Sequence, residues 1–353
     1  MPSLTAFQGF LSQAGRPARP GRERLPLLGA MAAAAILLPG TAGGEELLRL
    51  YPPVDCKLGR DCFIQNYFDV DPGPGARDYA CGRLANDGHQ GTDFRVRDLA
   101  EVARGVPVLA AAAGEIASLR DGIADGFPDE LADRGFQGRE CGNGVVIDHG
   151  DGWKTQYCHL RQGSIAVARG QSVEAGDQIG LIGLSGLTEF PHLHLTVWHR
   201  ERAIDPFMGP EPPKGCRVTR TSLWHDGATR QLAYRASGVL NTGFAVAEPS
   251  LRGVEQGGYQ DRAPTRRANL WFYARLFGLY AGDRQRLRVF GPYGRLVMEW
   301  TSEPAPSNET LWLQPIGRQA PEEGWPPGVY RGEFILIRDR AVVLESFAET
   351  EIR

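Results

Sequence analysis

Pro191-His192-Leu193-His194-Leu195 is the stretch whose reading decides the fold of this chain. It sits in a run of strand-forming residues reaching Val197, and the two-residue period of a β-strand turns both imidazoles to one face and both leucines to the other. A histidine pair satisfied by hydrogen bonds in an ordinary core is the plain alternative. Burying that polarity twice on one strand is uncommon unless a metal draws the rings together.

Working outward, runs of the same kind precede it: Val106 to Ala112, Gly144 to Ile147 and Ile179 to Ile182, each bounded by glycine-containing turns. Short strands at this spacing, with no helix-length periodic segment, predict an antiparallel β domain. Val167 to Gly183 alternates apolar residues with glycine turns and reads as a tight hairpin. Leu119 to Cys141 is a polar insertion carrying Asp121, Asp125, Asp129, Glu130 and Asp133, expected to form a long loop. Its carboxylates lack the regular ligand spacing of a calcium loop and are expected to be solvated. After Asp205, Pro206, Pro210, Pro212 and Pro213 break the pattern. Beyond them, Leu270 to Leu276, Arg286 to Phe290, Val297 to Trp300, Val329 to Ile337 and Ala341 to Phe347 predict a smaller β-sandwich, for which an immunoglobulin-like form is one option. The fold class expected is therefore all-β.

Of the chain's seven histidines, four fall in three short segments that also contain acids or turn residues. Gly88-His89-Gln90-Gly91-Thr92-Asp93 brings an imidazole and a carboxylate toward one point around an intervening glycine, and both groups are good zinc ligands. By itself such spacing also occurs in hydrogen-bonded loop turns. Gln156-Tyr157-Cys158-His159-Leu160 closes a strand that follows Val145 to Gly150 through the turn Asp151-Gly152, so that His159 could face the same site as His192 and His194. His149 reads as a structural turn residue, and His199 and His225 as exposed.

Taken in order, a His-x-x-x-Asp segment, a later Tyr-x-His-Leu and a closing His-x-His resemble the lysostaphin-type, LytM-like, zinc metalloendopeptidase family. The resemblance covers about Gly82 to Asp205 and includes Gly105-Val106-Pro107-Val108, Val145 to Gly150, Val173 to Gly183 and Ser185-Gly186. It implies one Zn2+ per chain, held by His89, Asp93 and His194, with His159 and His192 as catalytic histidines. Three protein ligands leave a fourth position open, as hydrolytic zinc sites require. The chain has no His-Glu-x-x-His segment, so no helix-borne glutamate base is on offer, and proton transfer falls to the histidine pair. The substrate the resemblance implies is the peptide cross-link of bacterial peptidoglycan, with its stem peptides as the binding partner.

The rest of the chain sets the compartment. Arg16, Arg19, Arg22 and Arg24 precede an apolar run of 14 residues, Leu25 to Leu38, and the small residues Gly40-Thr41-Ala42-Gly43. This is the pattern of a signal peptide cleaved near Ala42, and the run falls short of the roughly 20 residues a permanent membrane anchor needs. A periplasmic or secreted protein is expected. Its six cysteines then pair as disulfides by default. Many connectivities are open; we favour Cys56 with Cys62, Cys141 with Cys158, and Cys81 with Cys216. The leader's arginines and Glu23 carry +3, so a chain of net charge −3 is about −6 without it, which gives no basic character for nucleic acid.

The domain plan is thus residues 1–42 as leader, 43–80 as an irregular segment, 81–215 as the metallopeptidase domain and 216–353 as the sandwich. The last either shields the site or binds a partner or glycan. Two other functions stay open: a non-catalytic wall-binding or amidase-activating relative of the same fold, and a zinc peptidase directed at protein.

Overall fold

The structure is a computed structural model that describes residues 47–131, 135–211, 215–216, 221–259 and 263–353. The expected leader, 1–42, lies outside the described residues. Among those described, no helix is long and apolar enough to cross a membrane.

An antiparallel sheet of eight strands carries the histidines. Its strands are β1 (Cys62–Asn66), β2 (Thr92–Val96), β4 (Gly114–Arg120), β5 (Asn143–Gly150), β6 (Trp153–Leu160), β7 (Ser172–Val173), β9 (His192–His199) and β10 (Arg202–Ile204). They lie in the order β1-β2-β9-β6-β5-β4-β7, with β10 paired to β9. A separate pair, β3 (Pro107–Leu109) with β8 (Gln178–Leu181), completes this part, and one short helix, α1 (Leu99–Arg104), follows β2. Asp98 caps that helix, its side chain accepting from the Glu101 N–H. One face of β9 and β2 is dry: Leu193, Leu195, Val197 and Phe94 are fully buried there, and the opposite face holds His192, His194 and Asp93.

Farther along, β11 (Gly238–Ala245), helix α2 (Leu251–Glu255), β12 (Leu270–Leu279), β13 (Arg284–Phe290), β14 (Leu296–Thr301), β15 (Glu309–Arg318), β16 (Gly328–Arg338) and β17 (Ala341–Ile352) follow in order. They form one sheet ordered β11-β12-β15 and another ordered β14-β13-β16-β17. Both sheets contribute to one apolar core, in which Phe272, Leu276, Leu287, Val289, Phe334 and Leu336 are buried. Two antiparallel sheets sharing a core is the sandwich architecture the strand pattern predicts. The all-β expectation holds along the described chain, whose residues 48–353 form one compact unit.

Three local readings change. The stretch 43–80, read as irregular, contains β1, whose five residues are all buried and which pairs with β2. A strand buried on both faces shows no polar alternation, which is why Cys-Phe-Ile-Gln-Asn gives no strand signal. Val167 to Gly183 is not a hairpin: β7 pairs with β4 and β8 with β3, so the two runs turn away from each other. Trp224, beyond Cys216, still belongs with the first sheet, because it packs edge-on to Phe94 and against Phe207. The change of sheet falls between Trp224 and Gly238, later than the proline-rich stretch suggests.

The cysteine pairs are Cys56–Cys62, Cys81–Cys216 and Cys141–Cys158, the three favoured from the sequence. Within Leu119 to Cys141, the residues up to Arg120 belong to β4 and Asp125 forms an isolated bridge with Ser185, while 132–134 lie outside the described residues.

Candidate metal centre

Strand register brings the first residues together. Asp93 on β2 sits opposite His194 on β9, and Asn66 on β1 sits opposite Asp93. His89 precedes β2 in the turn that Gly91 allows. A Cβ on Gly91 would lie 2.5 Å from the His194 ring and 2.8 Å from the Leu195 carbonyl, so a side chain there would push His194 away.

Three donor atoms converge. His194 Nδ1 lies 2.8 Å from Asp93 Oδ1, and His89 Nε2 lies 3.2 Å from both of those atoms. The rest of each side chain is already engaged. His89 Nδ1 donates to the Tyr67 carbonyl at 2.7 Å, His194 Nε2 is 3.0 Å from Thr196 Oγ1, and Asp93 Oδ2 accepts from Asn66 Nδ2 at 2.8 Å. A partner on the second atom fixes a histidine's tautomer and ring orientation, leaving the other nitrogen to ligate. His89, Asp93 and His194 are also the one group among the described residues whose donor atoms could hold a metal ion together. Two imidazoles and a carboxylate, each braced from behind, fit a hydrolytic zinc site.

Asp69 braces the His89 turn further. Its carboxylate accepts from the Gly88, Asp71 and Arg77 N–H groups, and its own N–H donates to the His89 carbonyl at 2.8 Å.

His159 and His192 stand beside this group, with ring centroids 4.7 Å apart. His159, the last residue but one of β6, has φ of 63°, a left-handed conformation that costs a non-glycine residue energy and persists only where the surroundings impose it. Here they do: the neighbouring Cys158 is bonded to Cys141, the His159 N–H donates to the Cys141 carbonyl, and His159 Nδ1 donates to the Ser185 carbonyl at 2.8 Å. Those contacts leave Nε2 as the basic atom of His159. His192 Nδ1 donates to the Phe190 carbonyl at 2.9 Å and lies 3.1 Å from Thr188 Oγ1, while its Nε2 is 3.4 Å from Asp93 Oδ1.

Burial and neighbours set the charges. Burial first, then His192 and His194, holds His159 well below the ordinary imidazole value. Burial also lowers His194, only partly offset by Asp93. Burial draws His89 down too, yet Asp93 outweighs it and its pKa is raised. For Asp93, burial pushes upward, and His89 and His192 overcome it and hold the carboxyl well below the usual range. Asp93 is therefore a carboxylate, and His159 a neutral base, at neutral pH.

The structure thus assembles all five residues singled out in the sequence. It adds Asn66, Tyr67, Asp69, Ser185, Thr188 and Thr196 as their supports. Of these, Ser185 and Thr196 stood in segments the sequence had marked. The remaining histidines lie elsewhere. His149 bonds the Ala113 carbonyl and Thr155 Oγ1, as a structural residue would. His199, expected to be exposed, is half-buried and stacks on Trp153 at 4.1 Å; His225, likewise half-buried, stacks on Tyr51 at 4.7 Å.

Comparison with known proteins gives four findings. Residues 87–206 match the description Peptidase family M23. An uncharacterized metalloprotease of Haemophilus influenzae is 30% identical over 146 residues, which cover 41% of this chain and 26% of that protein. The peptidoglycan DD-endopeptidase ShyB of Vibrio cholerae is 41% identical over 71 residues, covering 20% of this chain and 16% of that one. Among solved structures, the catalytic domain of lysostaphin from Staphylococcus simulans is 25% identical over 40% of this chain and 85% of that domain, with a TM-score of 0.27. The first curated relatives are matched over 26% of their length.

Proposed function

Residues 87–206 form a domain of Peptidase family M23, and from that premise we propose that the chain is an exported zinc endopeptidase that hydrolyses peptide cross-links in bacterial peptidoglycan. The observation that carries the proposal is the convergence of His89 Nε2, Asp93 Oδ1 and His194 Nδ1, each with its other polar atom already bound. The relatives named peptidoglycan DD-endopeptidases support the substrate. Three disulfides support a destination in an oxidising compartment.

His89, Asp93 and His194 would hold the ion. When bound, zinc supplies Lewis acidity, polarising a substrate carbonyl and acidifying water. Peptide hydrolysis also needs one proton taken from the attacking water and one delivered to the departing amine. His159, neutral and with Nδ1 tied to Ser185, offers Nε2 as acceptor. His192, its Nδ1 tied to Phe190, presents Nε2 beside Asp93 as the second proton-handling group. The Ser185 and Phe190 carbonyls keep both rings from turning, so proton transfer starts from a fixed geometry.

Digestion of purified peptidoglycan by the zinc-loaded protein, followed by mass spectrometry of the fragments, tests the reading. Cross-linked dimers should fall to monomers with the wild type and stay intact with Asp93→Ala. Dimers intact in both would overturn it. Metal analysis separates the non-catalytic alternative: the wild type should retain one zinc per chain, and His89→Ala should lose it.

A further inference from the structure

Arg95 lies in the catalytic sheet but outside the group of ligands. It sits on β2 as the register partner of His192 and is fully buried. A guanidinium has five N–H donors and keeps its charge, so burial requires a carboxylate or several acceptors. Its carboxylate comes from 160 positions away: Glu255, at the end of α2, accepts from Arg95 Nη2 at 2.6 and 2.9 Å. Arg95 also donates to Gln65 Oε1 and the Val96 carbonyl.

Glu255 is itself held. It pairs with Arg275 on β12, a second fully buried guanidinium, which donates to the Arg97 carbonyl and to Asn241 Oδ1. The carboxylate therefore lies between one arginine of the catalytic sheet and one of the sandwich.

The consequence for the site runs through an aromatic ring. The Arg95 guanidinium lies 4.6 Å from the centroid of Phe190, and that ring stacks on His192 with centroids 4.4 Å apart and planes at 30°. Phe190 also supplies the carbonyl that accepts from His192 Nδ1. A planar cation locked in place by a bidentate carboxylate gives the ring a fixed surface to lie against. We propose that Glu255 is a positioning residue for His192: by fixing Arg95 against Phe190, the sandwich half of the chain sets the orientation of a histidine in the catalytic half. The proposal rests on the reading of His192 as catalytic.

Glu255→Gln keeps the shape and removes the charge, while Arg95→Lys keeps the charge and removes the flat face. Three measurements decide between positioning and a merely structural ion pair: kcat and KM on a soluble cross-linked muropeptide dimer, bound zinc, and the ring resonances of His192 in protein labelled with 15N-histidine. We expect both variants to lower kcat on the order of 10-fold, with KM and zinc content held within about 2-fold. The His192 ring resonances should move in both, and those of His225 should not. Paired with Phe190→Leu, Glu255→Gln should cost no more than Phe190→Leu alone, since both act through one ring. Wild-type kcat with unmoved His192 resonances in a folded Glu255→Gln protein overturns the proposal. Should that variant fail to fold, the same result in Arg95→Lys overturns it. His192→Ala is run alongside: full activity there sinks the catalytic reading, whereas the resonances judge the coupling on their own.

Discussion

His192, His194 and Asp93 lie buried on one face of the eight-stranded sheet, whereas Phe272, Phe334 and Leu287 fill the space between the two smaller sheets. The first face hides polar atoms at a cost that hydrogen bonds must offset, and each histidine there has a nameable partner on its second nitrogen or beside it. The second hides almost only carbon. Buried polarity of this kind marks chemistry, because apolar side chains would pack as well and more cheaply. An apolar core marks stability and is silent about function. Of the charges the sandwich half buries, Asp283 pairs with Arg338 within the sandwich, whereas Glu255 and Arg275 lead back to the catalytic sheet.

The sharpest way to break this division is Phe272→Ala. The ring is fully buried between the two smaller sheets, and its removal should cost about 3–5 kcal/mol. Urea unfolding reads the loss. The kcat of the folded fraction should stay at the wild-type value, since Phe272 is not among the contacts that reach His192. A parallel fall in kcat would mean that the sandwich supports the site through its whole core rather than through Glu255.

A smaller effect of the opposite kind is expected at Asn66. Replacing it with alanine removes one hydrogen bond to the outer oxygen of Asp93, and partners of metal ligands are typically worth 10–100-fold in metal affinity. Competition against a zinc chelator should show about that weakening, with little change in the unfolding midpoint. A variant with unchanged zinc affinity and reduced stability would make Asn66 a framework residue like those of the sandwich.

The same contrast explains what the sequence could disclose. His192 and His194 stood out because alternation with Leu193 and Leu195 forces both to one face, and Gly91 because a turn had to bring His89 to Asp93. The supports did not stand out. Asn66 sits in a strand with no alternation, Tyr67 contributes only a carbonyl, and Glu255 meets Arg95 across 160 residues with no local pattern between them. In the sandwich, Leu270 to Leu276 and Val329 to Ile337 were legible as strands, and their observed bounds extend them by a few residues. β11 was missed because Gly238 and Gly243 interrupt it, and β15 because Pro315 does. Pairing was the least legible property. β7 and β8 carry the right residues for strands, but which strand each joins depends on parts of the chain far from both.

His149 offers the mildest probe, because it is a half-buried histidine with no place in the metal group. Its Nδ1 donates to the Ala113 carbonyl at 2.7 Å, and its Nε2 lies 2.8 Å from Thr155 Oγ1, next to the buried Tyr157 hydroxyl, whose pKa burial pushes up to about 12. Burial lowers the pKa of His149, with the Ala113 hydrogen bond and Asp148 opposing it. A depressed value means that the unfolded chain takes up the proton first. As pH falls below about 6.5, the unfolded state is therefore favoured, and the loss grows until the folded-state pKa is reached, where it levels off. His149→Gln removes this term. Its stability deficit relative to wild type, measured by chemical unfolding of the zinc-loaded proteins, should be largest at pH 8 and narrow steadily below 6.5. A deficit that widens on acidification would mean that His149 gains a proton on folding, which would place it with His89, whose pKa Asp93 raises, rather than with the framework.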